Sequence, residues 1–291
     1  MDLSKRHLLM GGLLVSTTAL AGPGHAATET SSVGGSEGRG LLATWYDIEP
    51  GREAEYLAWA NAVYFPALAR RKGYQWVAHY RTLADDKQQA VDGGDSKLVA
   101  YTQQMRQVDK SSAEFGQGSK FLLLVGAKDP TVFLSPYHAI EDDRLGGAAQ
   151  KMLALRRGLR TSMFDDIVRQ PGPSHLQFAR GMPSARIQMG GLRTLNNAET
   201  DLLRWYVDER FPLLEKLDGM ISARLLAGCT GWERYGVLYE FADKAAHARF
   251  RHQAEQVTMD GAISGKTLFP VGRVVQSPHG PIVADRIWPE A

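Results

Sequence analysis

Residues 59–74 read WANAVYFPALARRKGY, and residues 205–220 read WYVDERFPLLEKLDGM. The two stretches align without a gap at an offset of 146 residues (205 − 59). Leu57, Trp59, Phe65, Pro66, Leu68 and Gly73 fall on Leu203, Trp205, Phe211, Pro212, Leu214 and Gly219, and Glu55 falls on Asp201. A Trp and a Phe-Pro pair held at fixed spacing inside otherwise different text point to a duplicated unit. Two copies are too few for a solenoid, so a doubled small domain is the simpler reading.

Working outward from the first stretch, LLATWYDI reads as a strand, and Pro50 suits the first turn of a helix. Tyr56, Trp59, Ala60, Val63 and Ala67 recur at helical spacing. Pro66 lies inside that pattern, so the helix should kink or restart there, and Gly73 should end it. YQWVAHYRTL and the continuously apolar KFLLLVGA follow as strands. Helix is expected from DPTVFLSPYHAIEDD through GAAQKMLALRRGL, and SMFDDIVRQPG as a closing strand. The second copy repeats the order. ARIQMGGLRTL is a strand, Asn196 and Glu199 have capping-box spacing, MISARLLAG and WERYGVLYEF form a hairpin around GCTG, DKAAHARFRHQAEQ is a helix, and VGRVVQSPHGP closes it. Each copy is therefore β-α-β-β-α-β, the ferredoxin-like split unit, over residues 40–175 and 183–285. The first copy carries a long insertion, 83–119, which could be a lid over a pocket or a surface elaboration.

The first 27 residues read as a removable leader. Lys5 and Arg6 precede the weakly apolar HLLMGGLLVSTTALAG, and small residues follow around Ala26 and Ala27. SKRHLLM resembles the twin-arginine export motif with Lys5 in place of one arginine, which implies export of a folded chain. Residues 28–39 are Gly/Ser-rich and read as a flexible leader. The expected location is periplasmic or secreted, with no stable membrane anchor, because Gly11, Gly12 and three hydroxyl residues interrupt the apolar run. A formal net charge of +2 over 291 residues and no basic block interleaved with aromatics give no case for nucleic acid. Cys229 is the single cysteine, which excludes an internal disulfide and cysteine-based metal clusters.

The helix bearing W-x5-F-P, then a Gly, then a strand, resembles the dimeric α+β-barrel superfamily, particularly its EthD-like and antibiotic-biosynthesis-monooxygenase-like branches. The resemblance implies two ferredoxin-like sheets closing one α+β barrel, here inside a single chain, with pairing of barrels into a homodimer also open. It implies a barrel interior that takes a small aromatic or apolar ligand. It also implies an activity among cofactor-free monooxygenases, cyclases, isomerases and haem peroxidases or chlorite dismutases. The EthD-like position before Phe/Ile-Pro is often His, whereas Tyr64 and Arg210 stand here. The G-x-x-D-G signature of the haem branch is absent, so no cofactor is expected and haem is the alternative. Neither a dinucleotide fingerprint nor a Walker loop occurs.

Several polar residues in this frame could carry chemistry. His79 in WVAHYRTL could shuttle protons near neutral pH, or be a hydrogen-bonded core histidine. Without a gap it aligns with Leu225; a slip of one residue sets it on Arg224, so its facing is open. Tyr74, Trp76 and Tyr80 are expected on the opposite face from His79. Arg224 could hold a carboxylate or phenolate, or pair with Glu233 or Glu240 across the hairpin. His138 and Asp142 have i, i+4 spacing, which suits either an oriented base or a solvated helix face, and no third metal ligand accompanies them, so no metal site is expected. His247 and His252 are expected on a helix surface. Tyr64, Trp76 and Tyr235 would shape the pocket. The reading is an exported enzyme using His79, His138 and Arg224 for lyase, cyclase, isomerase or monooxygenase-like chemistry. A non-catalytic periplasmic binding protein is its rival.

Overall fold

The computed structural model describes residues 38–83, 116–134, 138–178, 181–195, 197–270, 273–277 and 279–290. The leader (1–27), most of the linker and insertion segments, Tyr137 and Asn196 lie outside the described residues. The compact unit spans Ser36–Ala291.

Among the described residues nine strands form, in order, β1 (Gly40–Ile48), β2 (Tyr74–Thr82), β3 (Phe121–Ala127), β4 (Arg156–Pro171), β5 (Arg186–Thr194), β6 (Met220–Thr230), β7 (Tyr235–Phe241), β8 (Val274–Gln276) and β9 (Ile282–Trp288). All their pairings are antiparallel. The order β7-β6-β4-β1-β3-β2-β9-β5 closes through β5–β7, and β8 extends β5. Eight strands thus make a closed barrel, the size whose interior is just filled by side chains.

The strands alternate as a barrel requires. One cluster takes inward residues from all eight strands, among them Leu41, Trp45, Tyr80, Leu124, Phe164, Met189, Leu226, Leu238 and Ile282. Two further clusters pack helices on the outside, one for each half of the chain. The interior is therefore a core rather than the open chamber expected, with a cavity of about 30 Å³ at one end among the described residues.

The two opening stretches fold alike. Each helix (Glu53–Trp59, Glu199–Trp205) passes into a π-helical turn (Ala60–Tyr64, Tyr206–Arg210) and restarts at Phe-Pro (Phe65–Ala69, Phe211–Leu214). Proline lacks an N–H, so it is accommodated where the register resets and the helix begins anew. Gly73 and Gly219 then turn the chain at φ +87° and +81°, where a side chain would also strike Val132 or Ala246.

Local departures from the expected elements have local causes. Pro50 lies in the turn before the helix, which starts at Glu53. ALRRGLRT is not helix: the helix Gly147–Leu153 ends early and β4 begins at Arg156. VGRVVQSPHGP supplies only the short β8, and the barrel is closed by β9 further on.

Because the interior is shared, Phe164→Ala should cost about 3–5 kcal/mol and loosen both halves together. Urea unfolding followed by far-UV circular dichroism and by tryptophan fluorescence is expected to give coincident transitions, shifted equally; separate transitions would contradict a common core.

Candidate functional site

The register settles which way His79 faces. On β2, Ala78 and Tyr80 point into the barrel, while Val77 joins the first-half outer core and His79 packs at a tilt against Phe65 of its helix. His79 thus behaves as its ungapped counterpart Leu225 does in the second half. It does not face the interior, as its proposed role had supposed. Tyr74 also departs from expectation: a register shift between Tyr74 and Trp76 sends it to the outer face with His79.

In this outer layer a polar cluster is sealed among aromatic rings. Tyr46, Tyr56, Tyr64 and His79 are each 0% exposed. Arg156 Nε donates to Tyr56 Oη at 2.7 Å, Tyr56 donates to Tyr46 Oη at 3.4 Å, and Tyr46 Oη lies 2.8 Å from His79 Nε2. A guanidinium can only donate. Tyr56 therefore passes its proton toward Tyr46, and Tyr46 passes its own toward Nε2. Donor counting thus assigns the proton of neutral His79 to Nδ1. That Nδ1 is buried and has no partner among the described residues. Burial, then the charges of Arg156 and Arg81, hold the His79 pKa well below its ordinary 6.5.

Arg156 lies against the rings of Tyr46, Tyr56 and Tyr64, at 4.7, 5.7 and 4.8 Å from their centroids. Its Nη2 is buried without a partner among the described residues, although the residue as a whole keeps some exposure. Ring faces offset part of the cost of burying this cation. No carboxylate ion pair is made by it among the described residues.

The second arm of the cluster is built on Asp142. Tyr64 Oη donates to its Oδ2 at 2.8 Å and Arg71 Nη2 to its Oδ1 at 2.6 Å, with His138 Nε2 3.7 Å away. Tyr74 Oη lies 2.6 Å from His138 Nδ1. The His138–Asp142 pair is thus largely buried rather than a solvated face. Burial lowers the His138 pKa to about 4, with Asp142 opposing and Arg71 and Arg156 reinforcing.

Of the six residues picked from sequence, the structure brings His79, His138 and Tyr64 into one layer. Trp76 and Arg224 sit on the other side of the sheet, at the barrel end. Arg224 pairs with Asp166 of β4 at 2.8 Å, not with Glu233 or Glu240. Tyr235 belongs to the second-half core, so Trp76, Arg224 and Tyr235 do not share a pocket with His79. His247 is also misplaced by the sequence reading: it is buried beside Phe241, 3.1 Å from Gln188 Oε1. Tyr46, Tyr56, Arg71 and Arg156 were missed. Tyr46 was legible only as a strand residue, and Arg156 was hidden by the helical reading of its segment.

A haem would need a histidine nitrogen open to the iron and a slot for the macrocycle. His79 Nε2 is taken by Tyr46, and Phe65 and Phe121 lie against the ring at 4.6 and 5.4 Å. His138 Nδ1 is taken by Tyr74. The barrel-end cavity is far too small, and an open depression of about 380 Å³ around Trp232 has no histidine in its wall. Neither His79 nor His138 offers a haem iron a free, accessible nitrogen with room for the macrocycle in this layer. No group of three or more metal-ligating side chains is found among them, and no described helix is long and apolar enough to cross a membrane.

Neither a protein-family model nor a curated protein sequence matches the chain. Solved structures do. An anthrone oxidase-like protein superposes over 87% of this chain and 93% of its own, with a TM-score of 0.53 at 10% identity. The chain shares the α+β barrel fold of that structure. A dye-decolorizing protein from V. cholerae (TM-score 0.45, 8% identity, 86% and 94% covered) and a chlorite dismutase variant from Candidatus Nitrospira defluvii (0.42, 11%, 86% and 92%) also match. At such identities the likeness concerns fold alone.

The buried histidines give this barrel a definite acid response. Between about pH 6.5 and about pH 4 the unfolded chain holds more protons at the His138 site than the folded chain, so stability falls as pH drops through that window. The loss at His138 is on the order of 3 kcal/mol, and His79 acts with the same sign. Urea unfolding at about pH 7 and about pH 4.5 should show a clearly smaller difference for His138→Gln than for the wild type; an equal difference would refute the assignment.

Proposed function

We propose that this chain is an enzyme of the dimeric α+β-barrel type, performing cofactor-independent acid–base chemistry on a small aromatic or polyketide-like compound in the first-half outer layer. The observation that carries the reading is the chain Arg156–Tyr56–Tyr46–His79, which ends on a buried Nδ1–H with no partner among the described residues. Core histidines normally spend both nitrogens. One kept neutral, oriented by a hydroxyl and left with a proton to give is equipped as a proton shuttle. His79 would release its Nδ1 proton to the substrate and take the Tyr46 proton at Nε2. Burial and then Tyr56 hold the Tyr46 pKa well above its ordinary range, with Arg156 opposing, so the negative charge left on Tyr46 would be transient, held against the Arg156 guanidinium. Tyr64 and His138, on the Asp142 arm, would position the substrate. The step is a proton transfer of the kind a lyase, cyclase, isomerase or substrate-assisted oxygenation requires.

The same proposal extends to organisation. Residues 40–175 and 183–285 are read as tandem ferredoxin-like repeats, supported by the strand order β4-β1-β3-β2 and the matched π turns. Residues 1–27 are read as an export signal and 28–39 as a flexible leader, on the basic, apolar and small-residue order of the sequence. The protein would then act in the periplasm or outside the cell, and its barrels could pair.

His79→Ala should lower turnover of an accepted substrate by about 10²–10⁴. Tyr46→Phe should lower it too, because Nε2 loses its proton source, while leaving the fold intact by circular dichroism. Unchanged turnover in both variants would sink the reading, and a Soret band in the purified protein would replace it with a haem protein.

A further inference from the structure

At one end of the barrel the apolar core gives way to inward-pointing polar groups. Following Leu226 and Leu238 along their strands, Arg224 and Ser222 on β6 and Glu240 on β7 come next, with Asp166 beyond Phe164 on β4. All four are at least nine-tenths buried. Ser222, Arg224 and Glu240 line the cavity of about 30 Å³, which Trp76, Arg169 and His175 also border, and Asp166 stands behind Arg224 as its ion-pair partner.

A donor count shows what this cavity lacks. Glu240 is occupied on both oxygens, accepting Ser222 Oγ–H on Oε1 at 2.6 Å and the Ser184 N–H on Oε2 at 2.7 Å. Asp166 Oδ2 accepts Arg224 Nε at 2.8 Å and Arg169 Nε and Nη2 at 3.0 and 2.6 Å. Arg224 therefore spends one N–H. No hydrogen bond from its Nη1 or Nη2 is found among the described residues, and neither is among the buried polar atoms that lack a partner, so the fork opens onto accessible space where Arg224 borders the cavity.

We propose that this cavity binds a small planar monoanion, a carboxylate or an anion of that shape and size, on the Nη fork of Arg224. A guanidinium fork matches two oxygens of a planar anion. The space, enough for about two waters, admits a formate- or nitrate-sized ion and excludes a bulky tetrahedral one. The site is separate from the His79 layer, because Trp76 and Arg224 are on the inner face of the barrel wall and His79 is on its outer face. It stands whether or not the enzyme reading holds.

The test uses the full chain at constant ionic strength. Sodium formate and sodium nitrate should raise Tm saturably, and sodium sulfate should not. Formate binding followed by calorimetry should be at least about tenfold weaker in Arg224→Lys, which keeps the charge but loses the fork. Formate should also change the tryptophan fluorescence of the wild type but not of Trp76→Phe, a variant that leaves the guanidinium and its ion pair in place. Equal responses to all three salts, equal affinity in Arg224→Lys, or no saturable response, as for a cavity holding water alone, would each overturn the proposal.

Discussion

Two seams hold this molecule shut. β4 of the first half pairs with β6 of the second, and β2 pairs with β9. Without them each half would present two unpaired strand edges, with a row of unmet N–H and C=O groups on each. With them no edge of the eight-stranded ring is left open. Closure also fixes what the interior can be. A ring this small has room for its own side chains and little else, and Trp45, Tyr80 and Phe164 reach in from the first half to meet Met189, Leu226 and Leu238 from the second. Large residues from both sides fill the centre, so the polar clusters lie in the outer layers and at the ends.

How much of this was legible in sequence depended on whether the signal was local. The helix, the Phe-Pro restart and the Gly turn are local, and their duplication at a fixed offset carried the order of strands almost unaided. The facing of His79 was not local. It rests on pairing with β3 and on which neighbour meets the helix, and a slip of one residue exchanges the two faces of a strand. Arg224 illustrates the same limit: the hairpin offered Glu233 and Glu240 as partners, whereas the actual partner, Asp166, comes from a strand far away in sequence. Arg156 was lost for a different reason. Leu, Arg and Ala all favour helix in isolation, and the extended conformation is imposed by pairing with β1.

The two outer layers show what the offset of 146 residues preserves and what it does not. Trp59 and Trp205 both lie in their layers, but Tyr46, Tyr56 and His79 have Leu192, Leu202 and Leu225 as counterparts. Where Tyr64 stands, the second half has Arg210. Its Nη1 donates to Ala254 O at 2.7 Å and lies 3.1 Å from Thr258 Oγ1, and its guanidinium lies over Trp205, Tyr239 and Phe250. That carbonyl belongs to a further π-helical turn, Arg251–Glu255, whose displaced backbone frees an acceptor for a buried cation. Arg210 is thus spent on its own structure.

Arg156 contrasts with it. Both are guanidiniums buried among three aromatic rings. Arg210 finds a main-chain carbonyl and a hydroxyl, while Arg156 finds one tyrosine hydroxyl and keeps a buried Nη2 without a partner among the described residues. An unmet buried donor costs about 1–3 kcal/mol, and more on a charged group. A layer optimised for packing alone would lose that cost by the substitutions already present in the other half, Leu for Tyr and Leu for His. At Tyr46, Tyr56 and His79 the first half keeps buried hydroxyl or imidazole groups, beside an unmet guanidinium donor, where the other half has leucine. Stability does not account for that choice, which is the physical reason for placing the chemistry in the first-half layer rather than in its counterpart.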